Sequence, residues 1–123
     1  MNDKVSLMGL KLALERSWNE DTAVGEWSHD CVSMNQCAVT ALVVQDYFGG
    51  ELLRCEMTDG DSHYWNELPD CSEADLTSEQ FDFIEPQPLK ETKEIRTREY
   101  VLSYPETVKR YEILSNRVYD YLF

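Results

Sequence analysis

The stretch NQCAVTALVVQDYFGGELLRCEM, residues 35–57, changes from helical to alternating spacing of its apolar residues at two glycines. Its first part predicts a helix over about 36–48 that ends at Gly49 in a left-handed cap. The apolar face of that helix consists of Cys37, Ala41, Val44 and Phe48. Residues 51–57 then alternate as a half-buried strand does. A helix that runs directly into a strand indicates a fold that mixes both elements.

The flanking segments predict helices packed on one antiparallel sheet. A first helix is expected over about 6–18, where Ser6 can serve as N-cap. SHYWNEL (62–68) and SEADLT (72–77) are expected to continue the sheet as an antiparallel meander. We therefore predict an α+β fold in which N-terminal helices pack on a small antiparallel β-sheet, with a C-terminal helix, as one domain over residues 1–123.

The last third of the chain predicts a loop followed by helices. Two prolines in EPQP (85–88) favour a loop. Basic and acidic residues alternate in ETKEIRTRE (91–99), which we expect to form a solvated helical face, and RTREYVL (96–102) predicts a short helix. Pro105 suits the first position of the last helix, capped by one of the two residues before it.

The charge of the chain limits its partners. The formal net charge is −13, and residues 1–89 carry 4 basic and 18 acidic side chains, whereas residues 90–123 carry 7 and 6. Because this surface repels polyanions, we expect no nucleic-acid partner and no membrane partner. A protein or a small-molecule substrate remains as the partner, and the sequence leaves the oligomeric state open.

The N-terminal stretch and the cysteines indicate a cytoplasmic protein. MNDKVSLMGLKLALERSW contains charged residues and lacks a small-residue cleavage site, so we expect an amphipathic helix and not a signal peptide. The chain has four cysteines, which we expect to be free thiols in a reducing compartment. The spacing of Cys31 and Cys37, with His29 and His63, matches no common zinc site, so we expect neither a metal nor another cofactor.

Cys37 is the candidate nucleophile of this chain. If Asn35 is the N-cap, Cys37 lies in the first turn of its helix, where the dipole favours a thiolate and free N–H groups can bind an oxyanion. Such a thiol needs a histidine base, and the chain has only two histidines. We favour His63 because it lies on a predicted strand, whereas His29 lies in an irregular segment.

The turn PDC (69–71) decides whether an acid can orient His63. With a three-residue loop, Leu68 faces Ser72 and Trp65 faces Asp75, so that Asp75 shares a strand face with His63. With a two-residue loop, Asp75 faces away. The third loop position requires a positive φ, which costs a non-glycine residue such as Cys71 about 1 kcal/mol.

Several neighbouring residues have a supporting or a purely structural interpretation. Gln36 can donate to an oxyanion or be an exposed first-turn residue, and Trp65 and Asn66 can pack around the site. Cys37 itself can be a buried core thiol, His63 a histidine bonded within the fold, and Asp75 a cap of the following turn. These alternatives remain open at this level.

The sequence resembles the YunG-like family of small bacterial proteins from about residue 18 to residue 118. The similar segments are CAVTALVVQDYFGGELLR, SHYWNELPD, DLTSEQF and REYVLSYPETVKRYEIL. More distantly, the order of a cysteine helix, the strand HYWNE and an aspartate strand is similar to the transglutaminase and papain-like cysteine superfamily. That resemblance implies a papain- or transglutaminase-like fold with catalytic Cys37, His63 and Asp75. Asn35 and Cys71 stand where glycine is expected.

Two classes of function follow. The first is a cysteine-dependent acyl-transfer enzyme or hydrolase that uses Cys37, His63 and Asp75. The second is a non-catalytic protein-interaction module that retains the fold, which the small size and the acidic charge favour. The fold alone does not decide between them, because one fold hosts many functions.

Overall fold

The computed structural model describes residues 5–123, which form helices packed on a four-stranded antiparallel sheet. The helices are α1 (Leu7–Ser17), α2 (Cys37–Phe48), α3 (Arg98–Val101) and α4 (Pro105–Leu122). The strands are β1 (Glu51–Met57), β2 (Ser62–Glu67), β3 (Glu73–Ala74) and β4 (Pro88–Arg96), and a 3₁₀ helix spans Ser78–Asp82. The sheet order is β3-β2-β1-β4. The α+β prediction is confirmed, and the first four residues of the predicted N-terminal segment lie outside the described part.

Helix α2 lies between the other long helices and the sheet. One side of it packs against α1 and α4 through Val39 and Val43, which meet Leu10, Leu14, Leu114 and Val118. Its other side packs Ala41 and Leu42 against Leu52 of β1. Each such buried aliphatic side chain contributes roughly 1.5–3 kcal/mol, so the position of α2 is strongly determined. Within residues 5–123, no helix combines the length and the apolar character needed to cross a bilayer.

The PDC turn has the three-residue loop on which the site prediction depends. The N–H of Leu68 donates to the Ser72 carbonyl at 2.7 Å, and Asn66 pairs with Ala74. Cys71 has a φ of 71°, so the chain accepts the strained conformation at this position. The third strand is shorter than predicted, because pairing ends at Ala74 and Asp75 already belongs to the connection.

The predicted helical face at 91–99 is wrong for most of its length. Residues 88–96 form β4, an edge strand that pairs with β1 and has a register shift opposite Arg54 and Glu56. None of its side chains is fully buried and five of the nine are charged, so it lacks the alternation that identifies a half-buried strand. Charged residues are typical of edge strands because they prevent pairing with other chains. The short helix after it is confirmed as α3.

The start of α2 also differs from the prediction. Gln36 is the N-cap, and Asn35 instead has a left-handed φ of 59°. The side-chain amide of Asn35 donates to the Glu26 carbonyl at 2.7 Å, so it does not cap the helix. At the other end, Gly49 has a φ of 75° but a ψ of −152°, which is not the left-handed helical cap expected.

Candidate active site

His63 and Asp75 form a direct pair on the register that the PDC turn sets. The ring Nε2 of His63 donates to Asp75 Oδ2 at 2.7 Å, and the His63 side chain is only 1% exposed. The second carboxylate oxygen of Asp75 accepts from the backbone N–H of Thr77 at 3.3 Å and from its hydroxyl at 3.4 Å. Asp75 therefore both orients the imidazole and caps the following turn, so the two interpretations of this residue are compatible.

Cys37 is the first residue of α2 and is the second group that interacts with the imidazole. It is half-buried and lines a cleft together with His63. Burial of His63 lowers its pKa, but the hydrogen bond to Asp75 and the interaction with Cys37 outweigh burial and raise that pKa to about 9. The Nδ1 atom of His63 is buried and has no hydrogen-bond partner of standard geometry within residues 5–123. The site therefore favours an imidazolium between a carboxylate and a thiol.

Two aromatic rings fix the plane of the His63 imidazole. Trp65 stacks on it with ring centroids 5.4 Å apart, and Phe81 meets it edge-on at 4.7 Å. The indole N–H of Trp65 donates to Glu73 Oε1 at 2.7 Å, which holds the ring in place. Trp65 thus packs beside the candidate base, as the sequence suggested, whereas nothing in the sequence pointed to Phe81.

Lys90 is a second neighbour of Asp75 that the sequence analysis missed. Its ammonium lies 3.9 Å from Asp75 Oδ2 and 4.1 Å from the ring centroid of Trp65. Lys93, from the same strand, pairs with Glu73 at 2.8 Å. Because the sequence predicted a solvated helical face for this segment, it gave no reason to place either lysine near the site. The pairing of β4 with β1 brings them there.

Gln80 links the start of α2 to the turn that contains Asp75. Its side-chain oxygen accepts from the backbone N–H of Asn35 at 3.1 Å, and its amide donates to the Thr77 hydroxyl at 3.0 Å. Since Thr77 also donates to Asp75, a continuous set of hydrogen bonds connects the residue before the α2 N-cap to the carboxylate of Asp75. A glutamine in a polar segment gives no sequence signal for such a role.

Gln36 and Asn66 do not line the cleft. The backbone N–H of Gln36 donates to Ser33 at 3.2 Å, and its side-chain amide donates to Asn19 at 2.9 Å. Gln36 is buried, so the alternative of an exposed first-turn residue is also wrong. Asn66 donates to the Ala41 carbonyl at 2.9 Å and thereby ties β2 to α2. Both residues support the fold around the site.

The free backbone donors at the start of α2 lie one residue later than expected. The helical ladder begins with the N–H of Thr40, which donates to Gln36 at 3.0 Å. The N–H groups of Cys37, Ala38 and Val39 precede this ladder and therefore have no intrahelical acceptor. Because these three residues line the cleft, their N–H groups are the available oxyanion donors.

The cleft over Cys37 and His63 has a volume of about 680 Å³, which is within the range of small-ligand sites. It lies between the loop before α2, the β1–β2 turn and the segment that follows the 3₁₀ helix. The small size of the chain, which favoured an interaction module, therefore does not prevent a cleft. Cys37 and the almost fully buried His63 are both among the residues that line this cleft.

The remaining cysteines and the second histidine lie apart from this arrangement. Cys31 and Cys55 are buried free thiols, and Cys71 is an exposed one. His29 is exposed and contacts Trp27 edge-on at 4.7 Å. In the described part of the chain, no group of three or more His, Cys, Asp or Glu side chains is arranged to hold a metal ion.

Comparison with known proteins identifies relatives without an assigned activity. The family model described as "YunG protein" matches residues 6–123. A protein of Bacillus subtilis (strain 168) described as "Uncharacterized protein YunG" is 37% identical over 86 residues, which cover 69% of this chain and 72% of that protein. No solved structure matches the chain. Neither description names an activity, so the function has to be inferred from the site.

Proposed function

The chain belongs to the YunG family, and we propose that it is a cysteine-dependent acyl hydrolase. One observation carries this proposal: His63 is hydrogen-bonded to the Asp75 carboxylate and interacts with Cys37, and both Cys37 and His63 line a cleft of small-ligand size. A nucleophile, a base and an orienting acid in this order are the components that acyl transfer requires.

The reaction proceeds through a thioester. The Cys37 thiolate attacks the carbonyl carbon of an amide or ester, and the N–H groups at the start of α2 stabilise the oxyanion. The bond to the amine or alcohol breaks, and this leaving group takes a proton from the His63 imidazolium. Water then gives a proton to the neutral imidazole as it attacks the thioester, and it releases the carboxylic acid and the original thiolate–imidazolium pair.

The raised pKa of His63 suits the first of these steps. At neutral pH a histidine with a pKa of about 9 is an imidazolium, which holds the proton that the leaving group needs. Asp75 keeps the ring oriented with Nδ1 available to Cys37, because Nε2 is committed to the carboxylate. The stacked Trp65 and edge-on Phe81 prevent the ring from rotating.

The proposal extends to the fold. The chain order of a cysteine at a helix start, a histidine on the second strand of the sheet and an aspartate after it supports a papain- or transglutaminase-like arrangement. The three-residue PDC turn supports it further, because this register is the one that brings Asp75 to His63. In this proposal, the part shared with papain- and transglutaminase-like folds is the core around the site, in which α2 packs on the sheet.

Trapping of the acyl-enzyme tests the proposed function. We expect 4-nitrophenyl acetate to leave an acetyl group on Cys37, detected by peptide mass spectrometry after acid quenching, with a burst of 4-nitrophenol. Cys37→Ala should abolish the burst, and Asp75→Asn should slow it by about tenfold to a hundredfold. Cys71→Ala is the matched control and should keep it.

The same experiment separates this function from a non-catalytic module. If the burst and the acetylation persist in Cys37→Ala, or if no cysteine is acetylated in the folded wild-type protein, the hydrolase is excluded. An interaction module would then account for the fold.

A further inference from the structure

The rim of the cleft carries four carboxylates and one guanidinium. These belong to Glu26, Asp59, Asp61 and Glu85, and to Arg110. All four acidic residues are exposed, and within residues 5–123 none of them forms an ion pair. Arg110 offsets only part of the charge of these four acids, so a cation that enters the cleft meets a net negative rim.

Two of these carboxylates are held close to the reacting groups. Asp59 and Asp61 lie in the turn between β1 and β2, and Asp61 precedes His63 by two residues. The Asp61 backbone N–H donates to Asp59 Oδ1 at 3.0 Å, and its carbonyl accepts from Met57 N–H at 2.7 Å. The turn is thus internally bonded, which fixes these charges relative to His63.

The interior of the cleft is largely apolar. Its apolar lining includes Val24, Met34, Met57, Phe83, Ile84 and Pro86. Val24 and Phe83 are each 57% exposed, so large apolar surfaces stand open to solvent next to the acidic rim. A ligand that fits this combination has apolar groups for the floor and a positive charge for the rim.

The buried imidazole locates the acyl group of such a ligand. His63 is 1% exposed and is among the residues that line the cleft, and its buried Nδ1 has no hydrogen-bond partner of standard geometry in the described residues. The carbonyl that reacts at Cys37 has to lie beside this nitrogen. Groups that flank the carbonyl then extend towards the Asp59–Asp61 turn.

On the basis of the proposed hydrolase, we propose that its substrate is a cationic peptide segment that carries lysine or arginine beside apolar residues. The basic side chain binds at Asp59 and Asp61, and the apolar neighbours lie on the floor of the cleft. The net charge of −13 adds a long-range attraction for such a substrate, because focused fields raise encounter rates of opposite charges.

Thiol reagents of opposite charge test the rim without assuming catalysis. We expect Cys37 to react with a trimethylammonium methanethiosulfonate about tenfold faster than with the sulfonate analogue, after each rate is normalised to the small thiol glutathione. Asp59→Asn together with Asp61→Asn should remove most of this preference, since asparagine keeps the turn acceptor and loses the charge. The matched control, Glu112→Gln with Asp120→Asn on exposed positions of α4, changes net charge equally and should preserve it.

Ester substrates then test the class directly. We expect the 4-nitrophenyl ester of N-acetyl-lysine to be hydrolysed with a higher kcat/KM than that of N-acetyl-glutamate, and added salt should reduce the difference. Equal rates for both esters in a protein that acylates Cys37 would overturn the cationic substrate and leave the hydrolase intact. If neither ester acylates Cys37 but the cationic methanethiosulfonate still reacts with it faster, the hydrolase is excluded and the preference of the cleft for cations stands. A preference unchanged in the Asp59→Asn, Asp61→Asn variant would contradict the assigned rim.

Discussion

His63 connects the two halves of the site because each of its ring nitrogens faces a different partner. Nε2 is bonded to Asp75 at 2.7 Å, which leaves the buried Nδ1 for the interaction with Cys37. Burial disfavours its charge, yet these partners raise its pKa to about 9. The energy that holds the imidazolium is therefore also energy that stabilises the folded chain.

The pH dependence of stability follows from the direction of this shift. The folded pKa of about 9 exceeds the ordinary value of 6.5, so the contribution is fully present below pH 6.5 and is lost as the pH rises through 9. A difference of this size corresponds to roughly 3 kcal/mol. Urea unfolding between pH 6 and 9.5 should show this decrease in the wild type and a flatter profile in His63→Gln. Parallel profiles of the two proteins would contradict it.

Lys90 opposes the charge of His63 through their shared acid. Its ammonium lies 3.9 Å from Asp75 Oδ2, so it competes for the carboxylate and repels the imidazolium. Lys90→Met should therefore raise the His63 titration midpoint, by roughly half a pH unit because the lysine is partly solvated. NMR titration of the imidazole measures this midpoint. Lys109→Met, which removes an exposed lysine of α4, should leave it unchanged, and an unchanged or lower midpoint in Lys90→Met would exclude the competition.

At the residue scale, the sequence predicted the candidate triad and missed what surrounds it. The sequence identified Cys37, His63 and Asp75 because few residues of the right chemical type lie on its predicted helices and strands. The strand register that pairs His63 with Asp75 depended on a single turn. Gln36 was expected to be an oxyanion donor or exposed, but its hydrogen bonds to Ser33 and Asn19 bury it. Gln80 and Phe81 carry no local signal, because their roles depend on tertiary contacts of a 3₁₀ helix.

The junction between α2 and β1 passes very close to the backbone of β2. Gly50 has a φ of 81°, and a Cβ there would lie 2.1 Å from the Glu67 carbonyl oxygen. No side chain fits this approach without moving β2, the strand that carries His63.

Substitution of this glycine should destabilise the fold more than backbone strain alone does. We expect Gly50→Ala to lower the free energy of unfolding by roughly 2–4 kcal/mol. Gly60→Ala is the matched control, since Gly60 has a φ of 89° but no atom within 4 Å of the added Cβ, so its cost should be about 1 kcal/mol. Urea unfolding of both variants measures the difference. Equal costs would show that the close approach to Glu67 is not rigid.

Elements with periodic apolar residues were predicted nearly to the residue, and those without were not. In α2 and β1 the spacing of the apolar residues matches the buried face of the element, so the local sequence is enough to predict them. β4 is an edge strand, and its charged side chains show no such spacing. β3 ends early because Asp75 turns towards His63. The strand pairing that brings Lys90 to the site was therefore beyond local reasoning.

The whole molecule carries an excess of negative charge that its ion pairs only partly offset. The net charge is −13, and the mutual repulsion of these groups opposes the compact state. We expect the melting temperature to rise between about 20 mM and 500 mM sodium chloride, because screening acts on repulsion more than on the surface ion pairs. Calorimetry at fixed pH measures it. A falling melting temperature would mean that attractive pairs dominate the electrostatics of the fold.

Activation of Cys37 by His63 underlies the proposed function, and alkylation at pH 6 distinguishes it from simple accessibility of the thiol. Two thiols give an internal comparison, because Cys71 is exposed and Cys37 is half-buried. Accessibility alone predicts faster modification of Cys71, whereas activation predicts that iodoacetamide modifies Cys37 first. The buried Cys55, whose pKa is raised by burial, should stay unmodified. We predict fast alkylation of Cys37 that His63→Ala suppresses without changing Cys71. Slow alkylation of Cys37, or a rate unaffected by His63→Ala, would contradict the account.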